Sequence, residues 1–215
     1  MVKKTFNPKY NTQRGRFTRR EGMDLNLFSS ESPLSAKIKL KVTPGGKKSG
    51  NNVSNKLSEY GKQLRAKQMV KRSYGILEKP FRNCFKKANK MKGSTGSNLL
   101  IILETSLCNV IFVSGFARTR REAKQIISHG GVLVNGNKVD ISSYALSIND
   151  LITLNEKTNK QQRINESIAL SSNRNLPVWL DIDTNAKTIK LNRMPERDDI
   201  SPAIMEHLIV ELYSK

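Results

Sequence analysis

The sequence predicts an α+β protein: a basic arm, then a helical segment, then a unit with two short helices packed on an antiparallel sheet. Three observations carry that reading. Over residues 116–139, FARTRREAKQIISHGGVLVNGNKV, a helical pattern gives way to a hairpin pattern. Upstream of it apolar residues recur at helical spacing, and downstream they alternate as in strands. The charge is also lopsided. Of the net +20, residues 1–100 hold 24 Lys+Arg against 5 Asp+Glu, and residues 101–215 hold 14 against 13.

The elements follow in order. Residues 1–50 lack apolar periodicity and carry Arg14, Arg16, Arg19, Arg20, Lys37, Lys39, Lys41, Lys47 and Lys48 among Asn, Ser, Gly and Pro. Such a segment is either a disordered tail or an extended arm that orders on a partner. A helix is expected over residues 55–72, with Tyr60, Leu64, Met69 and Val70 as a sparse apolar face and Lys62, Arg65, Lys67, Lys71 and Arg72 around it. A second is expected over residues 78–91, with Pro80 in its first turn, Phe81, Phe85 and Ala88 inward, and Arg82, Lys86, Lys87, Lys90 and Lys92 outward. From Ser97 the stripe Leu99, Leu103, Leu107 runs on through Val110 and Ile111 toward Gly115.

Thr119 and Glu122 then form a capping box, and Ala123, Ile126 and Ile127 line one face of a short helix that Gly130 and Gly131 stop. Arg118, Arg120, Arg121 and Lys124 crowd its first turns. Residues 132–134 read as a strand, Asn135-Gly136 as a tight hairpin turn, and residues 139–141 as the return. Residues 151–154, 179–182 and 188–191 read as strands and 163–170 as a short helix. A last helix is expected from Ser201-Pro202, with Ile204, Leu208 and Leu212 on one face.

The charge asymmetry points to a polyanion lying along the first half of the molecule. A membrane surface is the competing polyanion, but no segment reaches the roughly 20 consecutive apolar residues of a spanning helix. Cys84 and Cys108 form neither a disulfide framework nor a metal-ligand spacing, and the N-terminus lacks an apolar signal region, so a reducing compartment is expected. Catalytic chemistry finds little to stand on. His129 and His207 are the two histidines, the Asp181/Asp183 and Asp198/Asp199 pairs have no His or Cys companion, and there is no phosphate loop, nucleophile elbow or zinc set. No enzyme activity, cofactor or metal is therefore expected.

The block Leu107, Asn109-Val110, Gly115-Phe116-Ala117, Arg120, Ala123, Gln125, Ser128-His129-Gly130, Val134-Asn135-Gly136, Val139-Asp140 and Ser143-Tyr144 resembles the S four RNA-binding domain. The likeness extends to Arg19-Arg20-Glu21-Gly22, Lys67-Gln68, Tyr74-Gly75, Phe81-Arg82-Asn83, Thr95-Gly96-Ser97, Trp179-Leu180 and Met194-Pro195, which together resemble the bacterial-type S four family of small-subunit ribosomal proteins. The resemblance implies a basic extended arm over residues 1–50, a helical rRNA-binding domain over 51–98 and the S four domain over 99–178. It also implies C-terminal strands and a helix over 179–215 that pack back toward the helical part.

The resemblance further implies a primary binder of small-subunit rRNA that nucleates assembly of the subunit body. Its neighbours would be ribosomal protein S five, at an interface that affects decoding fidelity, and mRNA where it enters. No membrane partner and no homo-oligomer are expected. The residues expected to meet RNA are Arg14, Arg16, Arg19, Arg20, Lys47, Lys48, Lys62, Arg65, Lys67, Lys71, Arg72, Arg82, Lys86, Arg118, Thr119, Arg120, Arg121, Lys124, His129 and Gly130. Two departures stand out. Gly15 and Thr18 take the places of the first two cysteines of a zinc knuckle, and Ser106-Leu107-Cys108 replaces Arg-Leu-Asp. With the Asn- and Lys-rich composition, the missing knuckle points to an organellar ribosome, mitochondrial first, with bacterial cytoplasm or plastid as alternatives. Two other functions use the same domain: RNA-modifying enzymes, which add a catalytic domain, and ribosome-rescue RNA chaperones, which lack the block from Tyr60 to Gly96.

Overall fold

The computed structural model describes residues 8–28, 44, 58–171 and 176–214. Lys37, Lys39, Lys41, Lys47 and Lys48 lie outside the described residues. The described helices are α1 (Pro8–Glu21), α2 (Glu59–Ser73), α3 (Glu78–Lys90), α4 (Thr95–Glu104), α5 (Leu107–Val113), α6 (Arg120–Ser128), α7 (Glu156–Asn159), α8 (Gln162–Ser171) and α9 (Glu206–Ser214). The strands are β1 (Val132–Val134), β2 (Asn137–Lys138), β3 (Leu151–Leu154), β4 (Leu180–Asp183) and β5 (Thr188–Leu191).

Two hydrophobic cores organise these elements. The first joins Val70, Phe81, Ala88, Leu99, Leu100 and Leu103 to Ile200, Ile204 and Ile209 from the far end of the chain. The second joins Leu107, Ile111, Phe116, Ile126 and Ile127 to the sheet residues Val132, Ile152, Ile189 and Leu191 and to Trp179. The sheet is antiparallel throughout, in the order β2-β1-β3-β5-β4. Asn135 at φ 51 and Gly136 at φ 80 make the left-handed pair that a two-residue hairpin turn requires.

Several expectations change. Residues 8–21 are helical, not extended. The periodicity is missing because α1 docks through few contacts: Phe17 under the Arg72 guanidinium, Thr18 and Leu25 buried, and Glu21 paired with Arg72. Tertiary contact supplies what an isolated helix of this length lacks. In α2 the buried positions are Gln63, Ala66 and Val70, whereas Tyr60 is exposed. The face is set by α9, where Gln63 Nε2 donates to Glu211 Oε2 at 2.9 Å.

The stripe from Leu99 to Ile111 is not one helix. Thr105 Oγ1 donates back to the Ile101 carbonyl (2.8 Å) and Ser106 Oγ to that of Leu103 (2.7 Å). Such bonds offer the backbone an alternative to the helix. Ser106 then pairs with Ala145 as a bridge, and the chain turns into α5. The boundary expected at residues 98/99 therefore falls inside α4, and the cores divide between α4 and α5.

The expected C-terminal piece over residues 179–215 is also divided. β4 and β5 belong to the sheet, because Ile189 and Leu191 alternate into the second core. Residues from Ile200 onward return to the helical unit, and α9 comes so close to α4 that a Cβ on Gly96 would sit 2.8 Å from Glu206 Cγ. α9 starts at Glu206, not at Ser201-Pro202, and its fully buried residue is Ile209. The Arg197 guanidinium donates to the carbonyls of Ile200 (3.2 Å) and Ile204 (2.7 Å), which holds the preceding segment out of the helix. The hairpin return is shorter than residues 139–141: β2 ends at Lys138, although Val139 N still donates to the Val132 carbonyl (3.2 Å).

Candidate nucleic-acid interface

A basic face on α3 is the plainest cationic surface. Phe81 and Ala88 are buried, so positions three and four residues apart on the other side face outward. Lys79, Arg82, Lys86 and Lys90 make that stripe, all exposed, with exposed Lys87 beside it and Lys92 just beyond the helix. Arg82 and Lys86 are thus placed as expected. Lys79 belongs with them and was missed, although its spacing to Arg82 was readable.

The second cationic region lies between the two units. α1, α2 and the start of α6 enclose a cleft of about 470 Å³ whose lining includes Arg14, Gln68, Lys71, Arg72, Arg121 and Lys124. α6 is positioned by its cap. Thr119 Oγ1 accepts from Glu122 N (3.2 Å), and Glu122 Oε2 accepts from Arg118 N (2.9 Å). This aims the helix N-terminus, where the helix dipole favours an anion, at the cleft rim. Arg121 is exposed, and Lys124 Nζ reaches the Gly75 carbonyl at 2.5 Å.

Other expected contacts are turned inward. Lys67 and Lys71 bind Glu78 at 2.7 and 3.0 Å. Partial burial alone would raise the Glu78 carboxyl, but the hydrogen bonds from these two lysines outweigh it and hold it at about 2. Arg72 pairs with Glu21 and lies 4.3 Å from the centre of the Phe17 ring, and Arg65 is 3.6 Å from the same carboxylate. Burial lowers the Arg72 pKa, and Glu21 opposes that shift. Lys62 pairs with Glu59 at 2.7 Å in the open. On α1, Arg16 and Arg20 are exposed while Arg14 and Arg19 are half-buried.

Arg120, expected at the surface as an RNA contact, is half-buried with its guanidinium turned inward. Its Nε donates to Asn109 Oδ1 at 2.9 Å, and its guanidinium lies over Phe112 (4.3 Å) and Tyr74 (5.0 Å). Burial lowers its pKa, while Tyr74 and Glu104 act the other way. The alternation of charge along residues 118–124 gave no sign of this, because the partners come from three other elements.

Arg118 binds Glu166 on α8 at 2.5 Å. It also lines, with Arg121, Lys124 and Arg163, a broader cleft of about 1050 Å³ on the other side of α6. Arg163 was missed, since no local pattern links it to α6. His129 is exposed at the far end of that nine-residue helix, about 13 Å from its start at 1.5 Å per residue. Gly130, expected among the RNA contacts, is buried, as is Gly131. A Cβ on Gly130 would lie 1.9 Å from Lys138 Cε, and one on Gly131 would lie 2.6 Å from Thr158 Oγ1. Among the described residues no group of three His, Cys, Asp or Glu side chains is placed to hold a metal ion.

Comparison with known proteins matches both units. Residues 9–104 match the family model described as the ribosomal protein S4/S9 N-terminal domain, and residues 107–152 match that of the S4 domain. The two matches meet where α4 gives way to α5. Over 200 residues the chain is 48% identical to the small ribosomal subunit protein uS4 of Shewanella loihica, covering 93% of this chain and 96% of that protein.

Proposed function

This chain belongs to the small ribosomal subunit protein uS4 family, and from that premise we propose that it is a structural, rRNA-binding constituent of the small ribosomal subunit. The observation that carries this reading is that the relationship runs through both units of the fold. An RNA-modifying enzyme would need a catalytic unit beyond the sheet. After β3, however, the described elements β4, β5 and α9 are all spent on completing the two cores. A rescue chaperone would lack α2 and α3.

The mechanism is adhesion to the RNA backbone. The α3 stripe of Lys79, Arg82, Lys86 and Lys90 meets one stretch of phosphates, and Arg121 with Lys124 at the α6 N-terminus meets another. Arg16 and Arg20 extend the second surface along α1. Guanidinium groups suit phosphate oxygens because their planar fork donates two parallel hydrogen bonds. Glu78 and Glu21 hold Lys67, Lys71 and Arg72 in place, so those cations shape the field of the surface more than they grip RNA. In the subunit the chain nucleates assembly of the body and borders ribosomal protein S five and the mRNA entrance. The Asn- and Lys-rich composition favours an organellar ribosome.

The test is binding of the purified chain to small-subunit rRNA with tRNA as competitor. With ~6–10 phosphates neutralised, affinity falls about 10³–10⁵-fold between 50 and 200 mM salt. A flat salt response, or equal affinity for tRNA, overturns the reading. Fractionation of the source cells decides the compartment.

A further inference from the structure

The two cores share few contacts, and clefts flank their seam. One is the basic cleft of about 470 Å³ beside α6. The other, about 420 Å³, lies between α4 and residues 193–200 and includes Leu100, Ile101, Met194 and Pro195 in its lining. A joint bounded by space on two sides needs something to fix its angle. Across this one runs a chain of polar groups. Tyr74, at the end of α2, donates its hydroxyl to Glu104 Oε1 at the end of α4. Asn109 on α5 donates through Nδ2 to Glu104 Oε2 (2.6 Å) and to the Glu104 carbonyl (3.1 Å). The Oδ1 of the same Asn109 accepts from Arg120 Nε on α6 (2.9 Å), and the Arg120 guanidinium returns over the Tyr74 ring. Tyr74 and Asn109 are buried, at 4% and 1% exposure, and Glu104 and Arg120 are half-buried beside them.

Every member has a partner in the other unit or at the seam. Tyr74 and Glu104 belong to the helical unit, Asn109 and Arg120 to the sheet unit, and the loop closes on itself through the cation and the ring. The residue before Asn109 matters too: Cys108 Sγ donates to the Arg120 carbonyl at 3.3 Å, so α5 also holds the backbone of α6. We propose that Tyr74, Glu104, Asn109 and Arg120 are positioning residues that fix the angle between the two units. That angle sets the spacing of the α3 and α6 cations, without any of the four touching RNA. The consequence for affinity rests on the RNA-binding reading above; the fixing of the angle does not.

Glu104→Gln tests this: its amide can still accept from Asn109 Nδ2 and donate to the Tyr74 hydroxyl oxygen, but the negative charge beside the Arg120 guanidinium is lost. Tyr74→Phe removes one bond and keeps the ring under Arg120. Ketone-linked spin labels at exposed Tyr60 on α2 and Thr184 beyond β4 report the distance between the units in the full chain without RNA. In Glu104→Gln the distance distribution broadens, and it broadens less in Tyr74→Phe. If the fixed arrangement falls to about a tenth of the population, rRNA affinity falls roughly tenfold, since apparent affinity scales with the competent fraction. The salt slope stays at the wild-type value because no phosphate contact is lost. Unchanged distances in the variants overturn the proposal, as does a broadened distribution with wild-type affinity. So does a salt slope reduced by about one, which marks a direct phosphate contact. Should Glu104→Gln not fold, Tyr74→Phe decides on the same readouts. If wild-type protein does not bind rRNA, the RNA-binding reading fails while the distance measurement still judges the angle.

Discussion

Ser167 on α8 donates its hydroxyl to the carbonyl of Gly115, 52 residues earlier, at 2.7 Å in the buried interior. Gly115 has φ +85, and a Cβ there would fall 2.1 Å from Ser171 Oγ, one turn further along α8. The turn before α6 and the helix after the sheet are fitted to each other with no room between them.

Gly115→Ala is therefore expected to destabilise the sheet unit. The left-handed backbone costs about 1–2 kcal/mol in a residue with a side chain, and overpacking adds roughly 1–3 kcal/mol. Urea unfolding of the variant should show a loss of about 2–5 kcal/mol, less whatever α8 recovers by shifting. A loss below half a kcal/mol would mean α8 is not seated there.

Arg120 and Arg121 are neighbours with opposite fates. Arg121→Glu should weaken rRNA binding and lower the salt slope by about one, with thermal unfolding near wild type. Arg120→Ala should lower stability by about 2–4 kcal/mol, because it leaves Asn109 and Glu104 without their cation in a buried network. Binding and calorimetry on both variants separate the roles. Similar unfolding temperatures for the two would contradict a structural role for Arg120.

The Glu78 carboxyl gives a pH signature. Its pKa is held at about 2, below its ordinary value of 4.5, by Lys67 and Lys71 against the opposing effect of burial. A lowered folded-state pKa contributes stability that is fully present above pH 4.5 and is lost as pH falls toward 2. Glu78 is half-exposed, so solvent screening keeps the size modest. The gap in urea midpoint between wild type and Glu78→Gln should be widest at neutral pH and close across that window. A gap that stays constant from pH 6 to 2 would assign it to packing instead.

Docking of α1 should be visible to trypsin. Thr18 and Leu25 are buried and Glu21 pairs with Arg72, so cleavage after Arg14 and Arg19 should be slow in the free protein. Glu21→Ala should speed it, since Arg65 and Arg72 lose their shared carboxylate. Mass spectrometry of timed digests reads both rates. Equal rates in wild type and variant would show that this ion pair does not hold the helix.

The sequence carried the sheet unit far and the helical unit only partly, for a physical reason. Thr119, Glu122, Asn135 and Gly136 act on neighbours within a few residues, so their pattern is complete locally. Phe17, Gln63 and Ile209 act on partners far along the chain, and no window of residues contains the reason for their burial or contact. The same holds for the surface. The α3 stripe was legible because helical spacing alone puts Arg82 and Lys86 outside. Arg120 misled because its charge reads as exposed until Asn109, Phe112 and Tyr74 gather around it. Glu78 drew no notice, although two of the expected RNA contacts are committed to it.

The first core has a further consequence, for synthesis. Val70, Leu99 and Leu100 are made early, yet they are covered by Ile200, Ile204 and Ile209, among the last residues to be translated. The helical unit therefore cannot close while the chain is still emerging. Its basic α3 is displayed for the whole of that interval beside an open apolar face. The sheet unit, also waiting on Ile189 and Leu191, finishes only slightly earlier. Translation order and folding order run against each other, so a chain interrupted before residue 200 leaves the apolar face behind basic α3 uncovered.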